Sequence, residues 1–227
     1  MALTLPQICD PSGYGLEEAV ESARSFAAAV PGFELRLIRY IQLQCLSTPT
    51  SLPKVFRGLE VLAGMLSGAD EARLVALLRP FLKSSGPLIA SKCVLMMGRH
   101  SHGITWLRSA MSETDARVIA NLVESLWNRK EPEAEAVFQR ALQDSHARVA
   151  ANAAYGLFLR NSGLWPDAFG KLVGSQNPAF RKSGIWVLKS AGAADAPSKL
   201  QPLLCDTDAD VRKAAFRALK HLRENKT

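Results

Sequence analysis

Apolar residues recur at helical spacing in four segments of this chain, which follow one another at intervals of 31 residues. The segments read VIANLVESL, VAANAAYGL, FRKSGIWVL and VRKAAFRAL, and they begin at Val118, Val149, Phe180 and Val211. In each segment the first, fifth, eighth and ninth positions form the i, i+4, i+7, i+8 stripe of a helix with one buried face. The ninth position is always leucine, at Leu126, Leu157, Leu188 and Leu219. The fifth and eighth positions are mostly small, which predicts close contact between neighbouring helices.

Each segment is predicted to be the second helix of a pair. Three residues before the segments lie Asp115, His146, Asn177 and Asp208, and both Asp and Asn are good N-cap residues. Further upstream, apolar residues at i, i+3 and i+4 predict the first helix of each pair. These residues are Leu107, Ala110 and Met111; Phe138, Ala141 and Leu142; Phe169, Leu172 and Val173; and Leu200, Leu203 and Leu204. The chain is therefore predicted to be all-α and built from antiparallel helix pairs.

A looser copy of the pair precedes these four and runs from about Leu78 to Met97. Pro80 in this copy and Pro202 in the last copy hold matching positions. A proline inside a helix bends it, because the residue donates no backbone hydrogen bond. The two prolines therefore indicate an architectural feature that the two copies share.

The pattern before this copy is less regular. It predicts amphipathic helices over residues 14–29, 32–45 and 54–66. We therefore interpret residues 1–67 as an N-terminal cap helix and a degenerate repeat, and residues 68–227 as five repeats in one continuous solenoid. Terminal repeats commonly depart from the consensus because one of their faces meets water.

The last copy resembles HEAT repeats of the short kind found in bacterial HEAT-like proteins. The closest match is the run DTDADVRKAAFRALKHL, Asp206–Leu222. The resemblance implies a right-handed α-solenoid whose second helices line a concave surface. The arginine that HEAT repeats carry after the first position is present at Arg181 and Arg212, but Ile119 and Ala150 replace it in the other two copies. A continuous Asp–Arg ladder between repeats is therefore not expected.

Positive charge is concentrated toward the end of the sequence. The net charge is +7 overall, divided into −2 over residues 1–53, +4 over residues 54–177 and +5 over residues 178–227. Such a basic region can attract nucleic acid, an anionic membrane or an acidic protein. The simpler interpretation is the solvated face of a terminal repeat.

The sequence carries no recognisable catalytic, targeting or membrane-spanning motif. No stretch approaches the roughly 20 apolar residues of a transmembrane helix, and the opening MALTLPQICD does not have the pattern of a signal peptide. His100 and His102 form an H-x-H pair without further ligands at zinc-like spacing. The four cysteines are widely separated, which is typical of free, buried thiols in the cytoplasm. We therefore expect a cytoplasmic protein that is not an enzyme, has no cofactor or metal, and does not bind membranes.

The exposed positions of the second helices form a candidate binding surface. The third, seventh and tenth positions of each segment should lie together, away from the buried stripe. The seventh positions are Glu124, Tyr155, Trp186 and Arg217; the tenth are Trp127, Phe158, Lys189 and Lys220; and Lys182 and Lys213 are third positions. These residues predict a groove that is aromatic in its middle and basic toward its C-terminal end. The alternative is that Trp127 and Phe158 pack as ordinary core.

Stacked repeats expose extended concave surfaces, so we interpret the chain as a scaffold or adaptor that binds a protein partner. Two alternatives stay open. One is nucleic-acid binding, which includes a resemblance to HEAT-like alkylpurine DNA glycosylases; Glu124 is the only carboxylate on the predicted groove. The other is a chromophore-attachment factor similar to the bilin-lyase branch of short HEAT repeats, for which no pigment-binding residue can be named.

Overall fold

The structure, a computed structural model, describes residues 3–47, 51–66, 71–84, 86–100 and 115–224. All regular secondary structure in these ranges is helical, and no strand occurs in them. This confirms the all-α prediction. The chain divides into two compact units, Met1–Ser125 and Leu126–Thr227. The predicted division at residues 67 and 68 stays a prediction.

The first unit contains seven described helices. They are α1 (Leu5–Ile8), α2 (Leu16–Ala29), α3 (Phe33–Leu46), α4 (Leu52–Leu66), α5 (Glu71–Ser84), α6 (Pro87–His100) and α7 (Ala116–Ser125). Both α2 and α3 pack on α4, and α6 packs against α4, α5 and α7. The bounds of α2, α3 and α4 agree with the sequence prediction to within two residues. The apolar residues predicted for the first helix before α7, namely Leu107, Ala110 and Met111, lie outside the described residues.

The second unit is a stack of three helix pairs. Its helices are α8 (Pro132–Ala141), α9 (Ala147–Leu159), α10 (Trp165–Val173), α11 (Pro178–Ala191), α12 (Ala196–Leu200), which continues as a 3₁₀ helix (Gln201–Cys205), and α13 (Ala209–Glu224). Each second helix packs on its own first helix, and α11 also packs against α9 and α13. This arrangement is that of an α-solenoid and confirms the predicted pairing.

Asparagine and aspartate begin the second helices as expected. The Asn177 side chain accepts a hydrogen bond from the backbone N–H of Ala179 at 2.9 Å. Asp115 accepts one from Arg117 N–H at 2.9 Å, and Asp208 accepts from two backbone N–H groups at the start of α13. These bonds satisfy donors that a helix N-terminus leaves without partners. His146 makes no such side-chain bond at the start of α9.

The two prolines at matching positions have different effects. Pro80 lies inside α5, which stays α-helical around it. Pro202 instead lies at the start of the 3₁₀ helix that continues α12. Because proline lacks the N–H group that an α-helix needs, a change to 3₁₀ bonding is one way in which the chain accommodates it.

The repeated leucines form the core of the helix pairs, with one exception. Leu126, Leu157 and Leu188 are fully buried, as predicted. The prediction is wrong for Leu219, which is only partly buried against the core of α11 and α13. In the described part of the chain no further helix covers the face of α13 that carries Leu219.

Close helix contact follows from the small residues of the second helices. A Cβ atom on Gly156 would lie 2.6 Å from carbons of the Phe138 ring, and one on Gly184 would lie 2.7 Å from a methyl carbon of Val173. Real Cβ contacts are longer than these distances. Glycine at these positions therefore lets α9 and α11 approach their first helices closely.

One arginine–aspartate pair joins successive repeats in the second unit. The Nε and Nη2 atoms of Arg181 on α11 each lie 2.7 Å from a carboxylate oxygen of Asp206, which follows the 3₁₀ helix. Both side chains are almost buried, with 11% and 7% of their surface exposed. The pair is bidentate, which is the strong geometry for these two groups. Ile119 and Ala150 stand at the equivalent positions, so the pair does not repeat there.

The Arg181–Asp206 pair should make stability depend on pH. The hydrogen bonds from Arg181 hold the pKa of the Asp206 carboxyl below its ordinary value of 3.8. Stability from this lowered pKa is present above the unfolded value and is lost as pH falls through the folded value. We therefore expect Asp206→Asn to lower the urea midpoint at pH 7 and to have a smaller effect near pH 3. An effect of the same size at both pH values would contradict this account.

Candidate partner-binding site

The predicted surface positions align on successive helices of the second unit. Lys182, Trp186 and Lys189 share one face of α11 at i, i+4 and i+7. Lys213, Arg217 and Lys220 hold the equivalent face of α13, 31 residues later. Because α11 and α13 pack side by side, the two stripes are neighbours.

Three large aromatic rings meet beside this surface. The Trp127 and Tyr155 ring centroids are 4.8 Å apart in an edge-on arrangement, and Tyr155 and Trp186 are 5.6 Å apart. Trp127 and Trp186 complete the triangle at 6.3 Å. These separations lie in the range where aromatic pairs attract one another beyond the burial of their surface.

The rings continue away from this triangle into the neighbouring first helix. Phe158 stacks on Tyr155 at 6.2 Å, Trp165 meets Phe158 at 5.1 Å, and Phe169 lies 5.6 Å from Trp165. We call this set of six rings the aromatic cluster: Trp127, Tyr155, Phe158, Trp165, Phe169 and Trp186. Four of these residues were predicted on the binding surface, and Phe169 was predicted in the core, where it is buried. Trp165 was not predicted, because its place at the start of α10 lies outside the second-helix pattern.

The aromatic cluster is neither closed core nor open surface. Trp186 is 38% exposed, whereas Trp127, Tyr155 and Phe158 are half-buried. The indole N–H of Trp127 donates to the backbone carbonyl of Asn152 at 2.9 Å. The hydroxyl of Tyr155 donates to the carbonyl of Ser190 at 3.4 Å. These bonds hold the two rings against which Trp186 packs.

The basic side chains around Trp186 are mostly exposed. Lys213 and Lys220 approach acids on their own helix, at 3.8 Å from Asp210 and 3.7 Å from Glu224. Such exposed pairs within one helix are weak. Lys182 and Arg217 are exposed and make no ion pair with any described residue, while Lys189 is half-buried. The surface therefore presents positive charge that a partner could neutralise.

Two of the predicted site residues differ from the expectation. The predicted helix continues through Trp127, but α7 ends at Ser125 and Trp127 lies in the following turn. Glu124 lies on α7 in the first unit, half-buried, and the structure does not place it in the aromatic cluster. Its role on the surface stays a prediction.

A cavity that was not predicted from the sequence opens at the edge of the aromatic cluster. It measures about 440 Å³ and is lined by Trp127, Asn128, Arg129, Lys130, Leu159 and Arg160. The Arg160 guanidinium donates to the backbone carbonyls of Arg129 and Lys130, which holds the turn after Trp127. Three of the lining side chains are basic, but Arg129 and Arg160 also approach Glu131 and Glu135, at 3.8 and 3.7 Å.

The described residues supply little for chemistry of their own. Among them, no group of three or more His, Cys, Asp or Glu side chains is placed to hold a metal ion. Burial raises the pKa of the Cys9 thiol to about 12, so this thiol is a poor nucleophile at neutral pH. The expectation that all four cysteines are buried is wrong for Cys205, which is exposed, and for Cys45, which is half-buried. His102, one half of the H-x-H pair, lies outside the described residues. No helix in the described ranges is long and apolar enough to span a bilayer.

Comparison with known families identifies the repeat. The HEAT repeat model matches residues 198–222, which cover the end of α12, the 3₁₀ helix and most of α13. Residues 198–222 therefore match a HEAT repeat. The match includes Arg212 and the cap Asp208, and it agrees with the resemblance found in the sequence. No curated protein matches the chain.

Solved structures of similar fold include human deoxyhypusine hydroxylase in complex with glycerol and an engineered protein. The first is 14% identical, with a TM-score of 0.41 over 97% of this chain and 94% of its own. The second is 18% identical, with a TM-score of 0.31 over 97% and 96%. The first comparison corrects the expectation that this chain is not an enzyme, because a hydroxylase is an enzyme. The likeness concerns the fold alone and assigns no reaction to this chain.

Proposed function

We propose that this HEAT-repeat chain holds a protein partner through Trp186 and the basic residues around it on α11 and α13. The observation that carries the proposal is the position of Trp186. Its ring is partly exposed and packs against the rings of Trp127 and Tyr155. It lies between Lys182 and Lys189 on the same helix face. Tryptophan and arginine are the residues that most often dominate binding energy at interfaces.

The charges on this face indicate the chemistry of the partner. Lys182 shares the helix face of Trp186, Lys213 and Arg217 lie on the neighbouring stripe of α13, and all three are exposed. A partner that fits would place an apolar group on the ring and carboxylates around it. Packing against two other rings lowers the entropy cost of ordering Trp186 on binding. We also place the protein in the cytoplasm, because its cysteines are free thiols.

The partner can be captured on the immobilised protein from a native lysate, identified, purified and titrated against variants. We expect Trp186→Ala to weaken binding by about 2 kcal/mol or more, as for a central interface residue. Leu164→Ala is the matched control, because Leu164 lies in the same unit with similar exposure, 40%, but outside the aromatic cluster. Equal affinities for the wild type and Trp186→Ala would contradict the proposal.

Nucleic acid is the other class of partner for which this surface offers both stacking rings and cations. The same titration with single-stranded and duplex oligonucleotides separates the two classes. Binding to a nucleic acid should weaken steeply with the logarithm of salt concentration, in proportion to the phosphates contacted. Strong, Trp186-dependent binding of arbitrary oligonucleotides, without a captured protein, would replace the protein partner by nucleic acid.

A further inference from the structure

The face of α13 that points away from α11 has the residues of a helix-packing surface, but no helix of the described residues packs on it. Within the second unit, Ile185 and Leu188 of α11 are buried in a core shared with α13. Their equivalents 31 residues later are Phe216 and Leu219. Phe216 is 64% exposed and Leu219 is partly exposed. They border a shallow apolar cavity of about 370 Å³ that also touches Leu204.

Arg212 makes the same backbone contacts as Arg181, but it has no carboxylate partner among the described residues. The Nη1 atom of Arg181 donates to the carbonyls of Ser175 and Gln176 at 2.8 and 2.9 Å. Arg212 Nη1 donates to the equivalent carbonyls at 2.7 and 3.0 Å. In Arg181 the remaining guanidinium atoms bind Asp206; in Arg212 the same atoms bind no described residue. The guanidinium is thus held ready for a carboxylate.

The first unit carries a matching surface on α2. In α13 the third, seventh, tenth and fourteenth helix residues form the buried stripe that packs in the core with α11: Val211, Ala215, Ala218 and Leu222. The same positions of α2 are Glu18, Ser22, Ser25 and Ala29. In α2 this stripe lines an open groove of about 850 Å³, together with Leu3 and Phe26. The groove therefore lies where a preceding second helix would pack.

Before α2, a carboxylate holds a place in the chain like the one that Asp206 holds before α13. Asp206 follows a short first helix and accepts the backbone N–H of the residue two positions later, at 2.8 Å. Asp10 follows the short helix α1 and accepts the N–H of Ser12 at 2.9 Å in the same way. Asp10 forms no ion pair with a described residue. It can therefore take the role toward Arg212 that Asp206 has toward Arg181.

The two surfaces also carry opposite charge. The helix α2 has three glutamates and one arginine, whereas α13 has five lysines and arginines against two acids. Opposite charge speeds association and fixes the orientation of the two surfaces. The basic helix α13 is thus complementary in charge to the acidic helix α2.

We infer that copies of this chain associate with one another, the α13 face of one copy packing into the α2 groove of the next. Phe216 and Leu219 fill the groove, and Arg212 binds Asp10 of the other copy. This contact repeats between two chains the packing that joins α11 to α13 within one chain. Because the two surfaces differ, the interface is heterologous, and addition of copies need not stop at a dimer.

The test is sedimentation velocity of the full chain over a concentration series at low salt. We expect the mass to rise above the 24.7 kDa of one chain as concentration increases. Phe216→Glu should raise the dissociation constant by about tenfold or more, because it places a charge in the centre of the contact. Leu35→Glu is the control: Leu35 is 62% exposed on α3, outside both surfaces, and its replacement should change nothing.

A charge exchange tests the predicted partners directly. Arg212→Asp and Asp10→Arg should each associate poorly alone, and their equal mixture should regain association because unlike chains then match. If circular dichroism shows that Asp10→Arg disturbs its turn, Glu18→Arg takes its place, and it should also weaken association.

A mass of one chain at every concentration overturns the inference. So does equal weakening by Leu35→Glu and Phe216→Glu, or a mixture of folded variants that fails to associate. Binding of α13 only to an acidic protein other than this chain would likewise overturn it.

Discussion

Leu157→Ala is expected to lower the free energy of unfolding of the second unit by about 2–5 kcal/mol. Leu157 is fully buried on α9, which packs against α8, α10 and α11, so truncation leaves a cavity among these helices. Stability in a repeat protein is carried by interfaces between neighbours, and this residue lies in such an interface. Urea unfolding followed by far-UV circular dichroism measures the change.

Leu219→Ala is the matched control for this experiment. It removes the same atoms at the same repeat position, but Leu219 is already partly exposed. The loss should therefore be clearly smaller than for Leu157→Ala, since less apolar surface returns to water. Equal losses would show that α13 is covered in solution, and negligible losses in both would contradict the repeat register.

Phe138→Ala is expected to cost about 3–5 kcal/mol. The ring of Phe138 on α8 is fully buried and packs directly on Gly156 of α9, which has no side chain to fill the space. Truncation therefore removes a buried contact between the two helices of this pair. Chemical denaturation at neutral pH measures the loss.

Phe216→Ala makes the same chemical change at a residue that is mostly exposed. At protein concentrations too low for association, it should change stability by no more than about 0.5 kcal/mol, as expected for surface substitutions. A loss comparable to that of Phe138→Ala would contradict the view that burial decides how much each phenylalanine contributes to stability.

The sequence predicted the helices and most of the aromatic cluster because both depend on the repeat period. A period of 31 residues places Tyr155 and Trp186 at the same point of successive helices, and packing of these helices brings the rings together. The capping residues were predictable for the same reason, since Asn177 and Asp208 precede their helices at a fixed distance.

The errors occur where a neighbour, rather than the period, decides the outcome. Leu219 has the sequence environment of a core leucine, but its burial depends on a following helix. Trp127 has the spacing of a helical residue, but α7 ends two residues earlier. Trp165 joins the aromatic cluster from a first helix, and a pattern drawn from the second helices does not reveal such a contact.

The aromatic cluster also determines what spectroscopy of this protein reports. The chain has four tryptophans, and Trp127, Trp165 and Trp186 all belong to the cluster in the second unit. Replacing Trp106, which lies outside the described residues, with phenylalanine would leave indole emission only in that unit. Fluorescence would then follow the unfolding of the second unit, whereas circular dichroism follows the helices of both. Coincident curves from the two signals would mean that the units unfold as one cooperative system, and separated curves would give each unit a stability of its own.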